Sequence, residues 1–262
     1  MGHKVLDARL ERWYKCSLCE QKYHGVVKCA LGWACWKTYV GRPETNVARR
    51  LAMQQLGNGL YSAKQYEDAV SVKEAELAMM RRLGDTENNL LTAQSNLASA
   101  YHYLGRLEEA LRMRQEVYSG SLKLNGEENS NTLMAANNYA HGLVSLQHYE
   151  EAKALLRKMM PVARRVLGDS IDLTLKLRWS YAMALYADPA ATLDELREAV
   201  TTLEETEGTA RRVFGAAHPT VMDIQHGLQT ARELQDVQER LATNEANLKA
   251  TEAITPGGTR DG

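Results

Sequence analysis

Cysteine is absent after position 35, phenylalanine occurs once in 262 residues, and no apolar run reaches the roughly 18 residues that a membrane-spanning helix needs. The polar stretch Met1–Glu11 also lacks the apolar centre of a secretory signal, so the chain is expected to work in the cytoplasm without membrane contact. Leu6 stands where the myristoylation pattern wants Ser or Thr, which removes the lipid-anchor reading. Charge of one sign is missing too. The 32 Lys plus Arg against 33 Asp plus Glu leave a formal net charge of -1, and no basic field exists to gather nucleic acid. No phosphate-cradling glycine loop, nucleophile elbow or His-Glu-x-x-His helix is found, so no enzyme activity is expected.

What is present favours helix. Hydrophobic residues make up 44% of the chain and aromatics 6%, while Ala, Leu, Glu and Arg are abundant, a balance that suits helices better than sheets. Self-similarity gives the organisation. Ala69, Ala110 and Ala152 are spaced 41 and 42 apart, and Gly84, Gly126 and Gly168 are spaced 42 and 42. Inside one unit Leu90, Leu97, Tyr101 and Leu104 fall at helical spacing, then Leu107, Leu111 and Val117 follow a short break at Gly105-Arg106. Each unit therefore reads as two antiparallel helices. Arg81-Arg82, Arg164-Arg165 and Arg211-Arg212 come just before Gly84, Gly168 and Gly215, where cations meet the negative helix end and glycine accepts the left-handed stop. Small residues recur in the first helix at Ala98, Ala140 and Ala182 and in the second at Ala69, Ala110 and Ala152, letting backbones approach. Lys73 and Arg114 take a second-helix position that is usually large and apolar, which predicts looser packing there.

Asn137-Asn138-Tyr139-Ala140, Tyr149-Glu150-Glu151-Ala152 and Arg164-Arg165-Val166-Leu167-Gly168 carry a resemblance that spans roughly residues 46–230. The chain resembles tetratricopeptide repeats of the longer, kinesin-light-chain type. That resemblance implies an all-α, right-handed solenoid of antiparallel helix pairs, a protein-interaction scaffold that binds a peptide or partner helix on the concave face lined by the first helices. The expected domains are a cysteine-containing segment and capping helix over 1–45, about four repeats over 46–215, a C-terminal capping helix over 216–251 and a disordered tail over 252–262. Asp188-Pro189 is expected to interrupt the fourth repeat, and His218-Pro219 to open the last helix.

By the repeat register the concave face comprises Gln54, Asn58, Tyr61, Ser95, Ser99, His102, Asn137, His141, Ser145 and Trp179. Asn96 and Asn138 match an asparagine that, in such repeats, either reaches a ligand's main chain or bonds the neighbouring helix. The chaperone-binding members of the family grip a terminal carboxylate with first-helix lysines. The matching positions here are Gln54, Ser95 and Asn137, so an uncharged or mixed peptide is expected.

The four cysteines leave two readings open. Cys16, Cys19, His24 and Cys29 follow the C-x2-C-x4-H-x4-C spacing of a tetrahedral zinc site, with Glu20 and Tyr23 where a zinc knuckle has glycines. Alternatively Val26–Tyr39 is an amphipathic helix with Cys29, Trp33 and Trp36 near one face, and Cys29 and Cys35 are core residues. Cys16-Ser17-Leu18-Cys19 also resembles the last ligand pair of a RING-type zinc finger, which would imply a ubiquitin-ligase-related adaptor, although most of the ligands such a module needs are missing. No other cofactor is expected.

Overall fold

The computed structural model describes residues 11–254; residues 1–10 and 255–262 lie outside the described residues, while residues 252–254, expected to belong to a disordered tail, continue the last helix. The described residues form ten α-helices and no strand beyond an isolated bridge between Lys15 and Lys22. None of these helices is long and apolar enough to cross a membrane. The chain divides into two compact units, Met1–Gly126 and Glu127–Gly262.

The first unit contains α1 (Gly25–Tyr39), α2 (Val47–Ser62), α3 (Tyr66–Arg82), α4 (Glu87–Tyr103) and α5 (Leu107–Asn125), each packed on the next. The second contains α6 (Ser130–Ser145), α7 (Tyr149–Leu167), α8 (Asp172–Tyr186), α9 (Leu193–Phe214) and α10 (Pro219–Ile254), with α8 touching both α6 and α10. Side-chain caps start the first helices: Asn46 accepts from the Ala48 and Arg49 amides, Thr86 from Asn89, and Asn129 from Asn131. The second helices α3, α5 and α7 have no such cap. They begin instead with Glu67-Asp68, Glu108-Glu109 and Glu150-Glu151, whose charge suits the positive helix start. Within a hairpin the chain turns on a residue of positive φ at one register position, held by Lys64 (62°), Gly105 (85°) and Gln147 (63°). The fourth hairpin turns at Asp188-Pro189 instead, and α9 then starts on a full capping box between Thr192 and Glu195.

The register alanines are the closest-packed points. Ala98, Ala140 and Ala182 in the first helices and Ala69, Ala152 and Ala199 in the second are all 0% exposed, beside the buried Leu97, Leu143, Leu156 and Leu203. A fully buried leucine of this kind contributes about 2 kcal/mol from apolar area alone. The helix predicted over 26–39 is present, with Cys29 and Cys35 buried in it. Trp33, expected near the same face, is 43% exposed and belongs to the outer side. The reason is geometric: α1 meets α2 backbone to backbone through Gly32 and Gly59. A methyl group on Gly59 would lie 2.8 Å from the Lys28 carbonyl oxygen and 2.9 Å from the Cys29 Cα, and one on Gly32 would lie 2.9 Å from the Gln55 carbonyl oxygen.

Two substitutions of the same type should therefore act in opposite directions. Gly59→Ala forces rigid backbones apart and should lower stability by about 2 kcal/mol, despite alanine's better helix propensity. Gly208→Ala, in α9 with open space around the new methyl group, should raise it by up to about 1 kcal/mol. Thermal denaturation followed by circular dichroism reads both.

Candidate binding groove

In the first unit the side chains of α1 through α4 converge on a cleft of about 240 Å³ lined by Lys28, Asn58, Tyr61, Lys73, Asn96 and Ser99. Four of these six come from the expected first-helix face. Gln54 does not join them: it lines a separate cleft of about 160 Å³ with Arg50, Glu76, Met79, Asp85 and Asn89. There Arg50 pairs with Asp85 at 2.5 Å, and that carboxyl is held below its ordinary range, first by the Asn89 amide. Ser99 donates to the Ser95 carbonyl at 3.1 Å, which turns its hydroxyl back along α4.

The floor of the cleft is cationic, which was not anticipated. Lys73 is 2% exposed, and its Nζ donates to the Asn58 amide oxygen at 2.7 Å rather than to a carboxylate. Burial pushes its pKa down to about 8, only partly opposed by Glu76, whose own carboxyl is pushed up by burial. Gly57 makes room for it: a methyl group there would sit 3.2 Å from the Lys73 Cγ. One repeat on, Arg114 is 7% exposed, and its Nε and Nη1 have no hydrogen-bond partner. It lies among tyrosines. Tyr61, Tyr66 and Tyr103 form a cluster with ring centroids 5.4 to 5.7 Å apart, and His102 stands edge-on to Tyr103 at 5.3 Å. Burial and then Arg114 lower the His102 pKa, so this ring is neutral at neutral pH. Lys73 and Arg114 share one register position with Leu156 and Leu203 of the second unit. What the sequence suggested as loose packing is a pair of buried cations; the signal was charge at a position that is leucine in the later repeats.

In the second unit the expected residues are engaged internally. Asn137 accepts a hydrogen bond from Ser180 of α8 at 2.9 Å, and Ser145 donates to the His141 carbonyl at 2.8 Å. Asn138 and His141 are half-buried and make interactions of their own. Trp179 abuts Gly227 of α10, where a methyl group would come within 3.3 Å of the indole nitrogen. This unit also buries a cation, Lys153, but fully compensated. Its Nζ pairs with Glu150, with Glu195 at 2.8 Å and with Asp188 at 3.2 Å, and Lys153 holds the Glu195 carboxyl down at about 2.

The four residues with zinc-ligand spacing are not gathered into one group. Cys16 and Cys19 share a tight turn in which the Cys16 amide donates to the Gln21 carbonyl at 2.9 Å and Glu20 takes a φ of 57°. Backbone N–H groups of Cys19 and Leu18 aimed at its sulfur lower the Cys16 pKa. His24 is exposed at the start of α1, whereas Cys29 is buried against Gln65. Among the described residues no three His, Cys, Asp or Glu side chains converge as metal ligands.

The tetratricopeptide repeat family model matches residues 49–123 and 89–165. Residues 49–165 are similar to tetratricopeptide repeats. Solved structures agree on the fold. Nearly identical TPR-like repeats of a kinesin light chain candidate from Podosopora anserina superpose with a TM-score of 0.60 at 23% identity, covering 78% of this chain and 97% of that one. BtubC (BKLC) from P. vanneervenii gives 0.57 at 16% identity over 90% and 92%, and the apo form of RapI gives 0.53 at 12% over 90% of each chain. No curated protein matches the chain.

Three outcomes follow for the buried cations. Arg114→Leu removes an unpaired buried charge and should stabilise by about 1–3 kcal/mol, whereas Lys153→Met strands its carboxylates and should destabilise by about 3 kcal/mol. Lys73 gives up its proton near pH 8 when folded but near 10.5 when unfolded. Stability therefore rises with pH through that window, and the gain from Lys73→Met should shrink between pH 7 and pH 10 in urea titrations. For the thiols, iodoacetamide at pH 8 should modify Cys16 early. Cys35, fully buried with its thiol pushed up to about 11, should react only on unfolding, as read by mass spectrometry.

Proposed function

We propose that the tetratricopeptide repeats make this chain a protein-binding scaffold, and that the first unit's groove holds an extended segment of a partner protein with a carboxylate over Lys73 and Arg114. The unpaired Arg114 guanidinium carries this reading. A buried cation without a carboxylate is costly in the free protein, and an anion entering from a partner supplies what folding leaves out. Asn58 and Asn96 line the cleft with Lys73 and offer amides suited to a peptide backbone, and Arg114 neighbours Tyr61 of the same lining. The expectation of an uncharged or mixed peptide, drawn from Gln54, Ser95 and Asn137, considered first helices alone; Lys73 and Arg114 lie on the second helices α3 and α5. The role is one of binding and not of catalysis.

Affinity purification with the full chain, followed by the same experiment with Lys73→Met/Arg114→Leu, tests the reading. The double variant should be at least as stable as the wild type yet lose its partners by tenfold or more, on the order of 1.4 kcal/mol. Synthetic segments of a recovered partner should lose affinity when Asp or Glu is changed to Asn or Gln. Full retention of every partner by the double variant would discard the proposal.

A further inference from the structure

The last helix is longer than the unit it closes. Val221, Ile224 and Ala231 of α10 are 0% exposed against the second unit, and Glu239 reaches back to Arg197 of α9 at 3.1 Å. Beyond it every residue from Arg240 to Lys249 is exposed. The stretch from Leu241 to Ile254 extends about 21 Å, and a helix of that length standing alone in water is marginal. Its apolar residues are not scattered. Leu234, Leu241 and Leu248 repeat every seven residues, with Val237 three after the first, and they are 40%, 56%, 64% and 53% exposed in that order. They form one stripe down the side of α10.

A seven-residue stripe is the pattern by which one helix packs along another, with Leu234, Leu241 and Leu248 at one seam position and Val237 and Asn244 at the other. The flanking charges select the occupant. Arg240 and Glu245 occupy the two positions beside the seam that face each other, five residues apart, when two identical helices lie parallel and in register. Each chain then offers its Arg240 to the other's Glu245, and the two Asn244 amides meet at the same level, where each can satisfy the other. The geometry points to a second copy of this chain as the partner, docked in parallel along Leu234, Val237, Leu241 and Leu248 of α10. The surface is separate from the peptide groove of the first unit.

Sedimentation equilibrium of the full chain tests this. At tens of micromolar the wild type should have twice the chain mass. Leu241→Glu/Leu248→Glu, at two exposed positions, should be a monomer with an unchanged thermal unfolding midpoint, its helical circular dichroism falling by no more than the share of the free end of α10. Arg240→Glu alone and Glu245→Arg alone each set like charges opposite one another and should weaken self-association roughly tenfold. Mixing those two variants restores both ion pairs and should recover a mixed dimer. A wild type that stays monomeric overturns the proposal, as does a dimer that survives Leu241→Glu/Leu248→Glu. A mixture of the charge variants no tighter than either alone overturns the parallel register. Partner capture by the first-unit groove should be unaffected throughout.

Discussion

Everything in each unit depends on helices approaching closely enough for backbone to meet backbone, which only alanine and glycine allow. Ala69, Ala98, Ala140, Ala152, Ala182 and Ala199 are all without exposed surface, and each marks a point where a larger side chain would push a helix off its neighbour. That constraint gives the leucines beside them their burial, since Leu97, Leu143, Leu156 and Leu203 fill the space on either side of the contact. Where glycine replaces alanine the approach is closer still. Gly32 and Gly59 seat α1 on α2, and Gly57 leaves the volume through which the Lys73 stem passes. The buried Lys73 is thus accommodated by the packing rule, at a point where one methyl group is missing.

The buried cations show how the same residue class serves two ends. Lys153 is closed off by Glu150, Asp188 and Glu195, which tie α7 to the irregular turn before α9; the Asp188-Pro189 break that disturbs the repeat supplies one of its partners. Lys73 and Arg114 have an amide and nothing, respectively, in place of those carboxylates. Burying charge without compensation lowers stability, so Lys73 and Arg114 cost the first unit what the carboxylates around Lys153 spare the second.

Much of the architecture was legible from residue spacing. The alanine and glycine intervals define the hairpins, the arginine pairs do fall in the last turns of α3, α7 and α9, and Asp188-Pro189 does break the fourth unit. The site was less legible, for a physical reason. A register position says which face of a helix a residue occupies but not what the neighbouring helix does to it. Asn137 faces the expected side and is taken up by Ser180; Trp179 does too and is met by Gly227; Gln54 turns into a different cleft from Asn58. Lys73 and Arg114 were visible as exceptions to an apolar position, yet only their burial shows that they are unpaired cations and not solvated ones. Trp33 was misplaced because Gly32 against Gln55 and Leu56, and Gly59 against Lys28 and Cys29, set which side of α1 faces α2, and glycines carry no hydrophobic signal.

The packing of Trp179 against Gly227 has a spectroscopic side. Trp13, Trp33 and Trp36 all belong to the first unit, so Trp179 is the single indole of the second, and its half-buried ring touches the helix that closes that unit. Near-ultraviolet emission from a chain keeping Trp179 alone is therefore a local gauge of whether α10 is seated, while the other three indoles report on the N-terminal helices. The two halves of the molecule carry separate intrinsic optical labels, placed there by the same contacts that hold each half together.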